Sequence, residues 1–323
     1  MDPAALEPFS FDLDDAARQY QVQGWIHVPQ GLDRSFFDDV VLETARFKAR
    51  TEDDLANRRI QGKKSQFLWK LPAELSIESL CAAAAKVAAF APERTVLAER
   101  HVNVYDEAAP EFAPPHKDRS SSRLTVVIGI DVAADSRLMI WPSDHLDENP
   151  YPASREWHDS RRPGERSETL LAEVPAVEID VRAGDVAMFR GAAIYHERYR
   201  PANSAVLALK FNGDGLDPLG EDPRTPQLEA ASAALLADEL RSARHVQLSP
   251  RVIGLRTDRY LPSGALHTQA RLLDRDIDVA LTEREVALVD RVVAERVVDV
   301  QELSAAELSD SVELVTVGIL LAG

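Results

Sequence analysis

Pro114-Pro-His116-Lys-Asp118-Arg-Ser-Ser-Ser-Arg123-Leu124-Thr-Val-Val-Ile-Gly-Ile130 is the stretch from which the fold can be read. Its second half is a near-continuous apolar run rich in β-branched residues. That is the pattern of a strand buried on both faces. Its first half is polar and turn-rich, so the strand is entered from a loop. Working outward, Val96, Ala98, Arg100, Val102 and Val104 alternate with Thr95, Leu97, Glu99, His101, Asn103 and Tyr105, a period of two that marks another strand. Further strands are expected at Trp25–Val28, Leu138–Trp141, Val174–Val181, Val186–Phe189 and Ala205–Phe211. Gly184-Asp185 makes the turn into the fourth of these, Val186–Phe189. Many strands joined by turns, without regular intervening helices, predict a mainly β fold of jelly-roll or cupin-like type.

The ends of the chain read differently. Asp12 and Asp14-Asp15 are placed to cap a helix that Gly24 ends. Further helices are expected from Leu32 to about Arg50 and from Ile77 to Ala89, so helices flank the β core on its N-terminal side. Residues 143–170 are polar and rich in proline, a long insert of the kind that usually serves as a functional loop. Gly213 to Pro226 is a linker of Gly, Asp and Pro. Beyond it, Leu228–Leu240 reads as a helix, and Thr282 stands three residues before Glu285, the capping-box spacing. A short helix fits Ser304–Leu308, and Val312–Leu321 fits either a strand or a helix. The expected division is residues 1–222, a helical N-terminal part plus the jelly-roll core, and residues 223–323, a smaller α-rich unit in which a winged-helix-like arrangement is one option.

With 323 residues there is room for one large core and a smaller second one. Hydrophobic residues make up 45%, which fits a globular chain. The formal net charge of −17 repels nucleic acid and anionic membranes, so neither is expected as a partner. The single cysteine, Cys81, excludes an internal disulfide and a thiolate zinc site, and reads as a small buried apolar residue. The N-terminus lacks a basic, apolar leader pattern, and no apolar run approaches the length of a membrane span. A cytoplasmic, reducing location is expected.

His116 and Asp118 are two apart at the entry to a strand, so their side chains project to one face. His196 follows the Gly184–Phe189 turn-and-strand element, which a jelly roll brings beside them. Two neutral imidazoles and one carboxylate on one face of an octahedral ion leave three positions open. That is the facial triad of non-haem Fe(II) oxygenases. His145, after a strand end, is a rival ligand, a substrate contact or a plain loop histidine. Arg119 and Arg123 are candidates for an anionic substrate or for ordinary surface ion pairs. Lys63-Lys64 lies in a polar loop that either covers a pocket or is merely solvated.

The run Tyr20-Gln-Val-Gln-Gly-Trp-Ile-His-Val-Pro29, the segment His116-Lys-Asp118-Arg-Ser-Ser, and Gly184-Asp-Val-Ala-Met-Phe189 with His196 and Asn203-Ser204 occur in this order. Together they resemble the phytanoyl-CoA dioxygenase-like branch of the Fe(II)/2-oxoglutarate-dependent oxygenases. The resemblance implies a double-stranded β-helix and a site holding Fe(II) and 2-oxoglutarate. It further implies O2-dependent hydroxylation of a small amino-acid-like or natural-product substrate, with release of succinate. Related halogenases carry a small residue in place of the carboxylate, so Asp118 implies hydroxylation or a related oxidation. The family usually has an arginine on the last core strand for the far carboxylate of 2-oxoglutarate. Here that stretch is Val206-Leu-Ala208-Leu-Lys210. An ammonium on an apolar strand face needs a carboxylate partner, which makes Lys210 the expected cosubstrate anchor, with Arg198 and Arg200 as alternatives. Asn103 and Tyr105 are expected near the cosubstrate and His101 near the substrate. The C-terminal unit would serve as a substrate cover, a homodimer contact or a carrier-protein dock. A metal-binding cupin-like regulatory or interaction protein, and an isomerase or hydrolase using the same triad without O2, are the competing readings.

Overall fold

The apolar run forms the centre of a six-stranded antiparallel sheet in the computed structural model, which describes residues 7–49, 65–71, 75–111, 114–142, 147–258, 266–271 and 276–323. Two compact units are present, Met1–Gly215 and Leu216–Gly323.

The N-terminal unit contains α1 (Leu13–Gln23), β1 (Trp25–Val28), α2 (Arg34–Ala49), β2 (Ser65–Leu68), α3 (Ile77–Ala88), β3 (Val96–Tyr105), β4 (Leu124–Asp131), β5 (Arg137–Trp141), α4 (Ser154–Ser160), α5 (Ser167–Leu170), β6 (Val177–Ile179), β7 (Val186–Phe189), β8 (Tyr195–Tyr199) and β9 (Ser204–Asn212). The large sheet runs β1-β7-β4-β9-β3-β2 and a small one runs β6-β5-β8. Every pairing in both is antiparallel, the jelly-roll arrangement of two facing sheets. Asp12 caps α1 by accepting from the Asp14 and Asp15 N–H groups, and Gly24 ends it at φ 78°. Cys81 is buried in α3, as its composition suggests.

Both faces of the large sheet are covered, and the alternation of side chains assigns each its layer. Leu124, Val126 and Ile128 of β4, with Leu207, Leu209 and Phe211 of β9, face the helices and join Phe36, Trp69 and Leu80 in the main core. Each such fully buried side chain contributes about 1.5–3 kcal/mol. Val127, Ala187, Phe189 and Val206 face the other way and meet Leu138, Ile140 and Ile179 of the small sheet. The cavity described below opens between the sheets.

A bulge in β3 departs from the simple alternation. The register against β9 shifts between Leu97 and Glu99. Leu97 therefore joins the helix-side core, while Glu99, opposite Lys210, joins His101, Asn103 and Tyr105 along the cavity. Period-two reading alone puts Leu97 and Glu99 on one face.

The C-terminal unit contains α6 (Arg224–Leu235), β10 (His245–Leu248), β11 (Gly254–Asp258), β12 (Leu266–Arg271), β13 (Asp276–Leu281), α7 (Glu283–Glu295), β14 (Val297–Asp299), α8 (Ala305–Thr316) and β15 (Leu320–Ala322). Its sheets are β14-β10-β15 and β11-β12-β13. The α-rich expectation is therefore too narrow: the helices are present, but six strands accompany them. The Thr282/Glu285 capping box forms at α7, and a second, Ser304/Glu307, starts α8. Leu240, Val246, Leu288, Val292 and Leu314 make this unit's own core. Among the described residues no helix is long and apolar enough to cross a membrane.

Candidate metal centre

His116 and His196 are joined through their backbones. Each N–H donates to the other's C=O at 3.0 Å, an isolated antiparallel bridge that adds the loop before β4 to the edge of the small sheet. Their rings lie 4.5 Å apart. Asp118 is fixed from both sides of its peptide: its N–H donates to the Gly191 carbonyl at 2.8 Å, and Asn149 Nδ2 donates to its C=O at 2.8 Å. One ligand atom from each of His116, Asp118 and His196 lies within 4.8 Å of the others, so the three could hold one ion. Lys117, between two of them, points the opposite way. Its ammonium bonds the Asp147 carbonyl and sits over the Trp157 and Tyr195 rings. That contact ties the ligand segment to the insert.

Gly191 is required by this geometry. A Cβ there would stand 2.1 Å from Thr125 Oγ1 and 2.8 Å from Asp118 Oδ2. The Gly191→Ala substitution should cost about 1–3 kcal/mol in urea unfolding, and should also weaken metal uptake in a chelator competition because Asp118 must move.

Each member of the triad is held in a form that can bind a cation. His196 Nδ1 lies 3.0 Å from the Ile194 carbonyl, a bond that keeps a proton on Nδ1 and turns Nε2 toward Asp118, 3.7 Å away. Phe189 packs against that ring at 4.6 Å. Burial would raise the Asp118 pKa, but the Lys210 ammonium and the two imidazoles outweigh it and hold the carboxyl well below the usual carboxylate range. Thr125 Oγ1 donates to Oδ2 at 2.7 Å and Lys210 Nζ to Oδ1 at 2.6 Å. Each carboxylate oxygen has a second lone pair, so these bonds leave room for ligation. Behind them, Glu99 accepts from Arg119 at 3.0 Å and from Ser122 at 3.2 Å. Burial would raise Glu99 as well, but Lys210, Arg119 and His101 keep it ionised.

A cavity of about 740 Å³ surrounds the triad. Strand β8 divides its charged lining by alternation. His196 and Arg198 face the large sheet: Arg198 pairs with Leu138, whose side chain packs with Tyr105 and Val206. Tyr195 and Glu197 face the insert: Glu197 pairs with Met139, which packs against Trp141, Trp157 and Tyr195.

On the large-sheet side Lys210 has a carboxylate partner inside the protein, in Asp118. Arg198 has none. It is 9% exposed, lines the cavity, and neither Nη1 nor Nη2 has a hydrogen-bond partner. Desolvation lowers its pKa, Tyr105 being the one opposing influence, and burial pushes Tyr105 itself up to about 12. On the insert side Glu197 is pushed up to about 7 by burial alone.

The remaining expected residues divide. His101, Asn103 and Tyr105 line the cavity. Arg119 lines it but is spent on Glu99. Arg123 pairs with Asp214 and Glu148, and Arg200 with Glu111 and Asp135, all outside the cavity lining. His145 and Lys63-Lys64 lie outside the described residues. Exposed ion pairs of this kind contribute about 0–1 kcal/mol. Arg123→Ala and Arg200→Ala should therefore leave metal content and 2-oxo acid binding within about threefold of the parent in equilibrium dialysis. The insert, expected as a functional loop, supplies Arg155, Trp157, His158 and Arg166 to the cavity. Sequence reading missed Thr125, Asn149, Gly191 and Glu197. The glycine in Arg190-Gly-Ala carries no turn signature that separates it from any other loop glycine.

No protein-family model and no curated protein matches this chain. Solved structures do resemble it. The non-haem α-ketoglutarate-dependent epimerase SnoN from nogalamycin biosynthesis is 19% identical over 62% of this chain and 80% of its own, with a TM-score of 0.42. HygX from Streptomyces hygroscopicus, solved with nickel and 2-oxoglutarate, is 14% identical over 63% of this chain and 88% of its own, with a TM-score of 0.41. A prolyl-4-hydroxylase from Pseudomonas putida is 16% identical over 62% of this chain and 97% of its own, with a TM-score of 0.39. Likenesses this distant leave the functional reading to the side chains around the cavity.

Proposed function

We propose that the N-terminal unit is a non-haem Fe(II), 2-oxoglutarate-dependent oxygenase of the phytanoyl-CoA dioxygenase-like type. The observation that carries the reading is the convergence of His116, Asp118 and His196 on one wall of a cavity, with ligand atoms within 4.8 Å. Two imidazoles and one carboxylate fit ferrous iron and leave sites for a bidentate 2-oxo acid and O2. When bound, iron couples oxidative decarboxylation of 2-oxoglutarate to oxidation of a C–H bond: R–H, 2-oxoglutarate and O2 give R–OH, succinate and CO2.

The chain's own residues prepare that chemistry. Ile194 and Asn149 orient the ligands through His196 Nδ1 and the Asp118 carbonyl. Lys210 and Thr125 keep Asp118 ionised and aimed. Arg198 is the anchor for the far carboxylate of 2-oxoglutarate, because a buried guanidinium without a partner requires an anion and a planar carboxylate satisfies it bidentately. Tyr105 lies beside it. The insert side of β8 is left for a small substrate, and hydroxylation is the reaction that retention of Asp118 favours.

The test is turnover under air. Fe(II)-loaded protein should convert 2-oxoglutarate to succinate with uptake of one O2 per succinate, and the His116→Ala protein should not. Protein that retains iron yet forms no succinate would instead be a cupin-like binding protein.

A further inference from the structure

Among the described residues, the charges facing the insert side of β8 are paired except for two. Asp159 is taken by Arg155 and His158, Glu168 by His158, and Arg161 by Asp147. Glu197 and Arg166 are left, opposite in sign and both lining the cavity. Glu197 is 9% exposed and has no hydrogen bond or ion pair among the described residues. Arg166 is half-buried and makes no ion pair with a described residue, and its Nε has no partner.

A carboxylate on the surface needs no partner, and one in a core is normally paired. Glu197 is in neither position, since its strand neighbours are packed and its own side chain faces open cavity volume. Backbone pairing cannot explain it, because that involves only the peptide groups of β8. The metal site does not use it either: along β8 it points away from the face that carries His196.

We propose that this side of the cavity binds a small zwitterion of amino-acid type, its ammonium on Glu197 and its carboxylate on Arg166. An ammonium supplies the missing charge and up to three donors to one carboxylate, and the guanidinium offers a fork that a carboxylate fits. Both complementary charges in one molecule meet both vacancies at once, whereas a neutral or singly charged molecule leaves one buried charge unmet. This inference rests on the oxygenase reading only in taking the cavity as the substrate site.

The test uses full-length protein loaded with redox-inert Ni(II) and 2-oxoglutarate. Free amino acids are titrated calorimetrically, each against its hydroxy-acid and carboxamide analogues. At least one amino acid should bind, and should bind about tenfold or more tighter than either analogue, which is about 1.4 kcal/mol. Glu197→Gln should erase the preference over the hydroxy acid, and Arg166→Gln the preference over the carboxamide. Equal binding of hydroxy acids by the parent protein overturns the proposal, as does the absence of any amino-acid binding or a preference that survives E197Q. The parent comparison stands even where a variant folds poorly. Amino-acid binding to Ni(II)-protein that takes up no 2-oxoglutarate would sink the oxygenase reading and leave this one in place.

Discussion

Replacing His196 by alanine should leave the purified protein without bound metal. In the proposed site the ring supplies one of three ligands, and its bond to the Ile194 carbonyl turns Nε2 toward Asp118. Loss of a residue that merely orients a ligand costs about 10–100-fold in metal affinity, so loss of the ligand itself should exceed about 100-fold. The remaining His116 and Asp118 cannot compensate. Asp118 already accepts from Lys210 and Thr125, and His116 is the more exposed of the two histidines. Competition with a chelator of known affinity reads the change directly. Iron retention near the parent value would mean that the ion is held elsewhere.

The second large effect belongs to Arg198. Arg198→Met removes a guanidinium whose Nη1 and Nη2 have no hydrogen-bond partner among the described residues. Affinity of Ni(II)-loaded protein for 2-oxoglutarate should fall by about 100-fold or more, the scale of losing one partner of a buried charge pair. Binding of pyruvate, which has no far carboxylate, should stay close to the parent value. The apoprotein should move in the other direction. Exchanging an unpaired buried charge for an apolar side chain of similar length should stabilise it by on the order of 1 kcal/mol or more. A structural arginine predicts destabilisation instead, so melting the apo variant separates the two roles. Lys210→Met should behave differently again, weakening metal uptake through Asp118 rather than selecting between the two acids.

The triad was legible because a strand entry fixes where i and i+2 point, and because β8 lies at the end of an element signalled by Gly184-Asp185. The paired sheets were legible too, since β4, β7 and β9 are apolar on both faces. The internal pairing of Lys210 was not. Lys210 sits on the expected strand, and a sequence cannot say that its ammonium is satisfied by Asp118, far away along the chain. The bulge that turns Glu99 to the cavity depends on pairing with β9 and leaves no local mark. Gly191 is demanded because a Cβ there would come within 3 Å of Asp118, Ser122 and Thr125, which are distant in sequence. In the C-terminal unit, β10 to β13 are only four to six residues long, and the period-two alternation of Asp276-Ile-Asp-Val-Ala-Leu281 is a strand signal too short to outweigh the capping-box helix signal that follows it.

Anaerobic titration of the apoprotein with Fe(II) and then 2-oxoglutarate tests the central claim most directly. A weak visible charge-transfer band should grow with 2-oxoglutarate, saturate at one equivalent per chain, and be missing from His196→Ala. A protein that binds Fe(II) at His116, Asp118 and His196 yet develops no such band would contradict it.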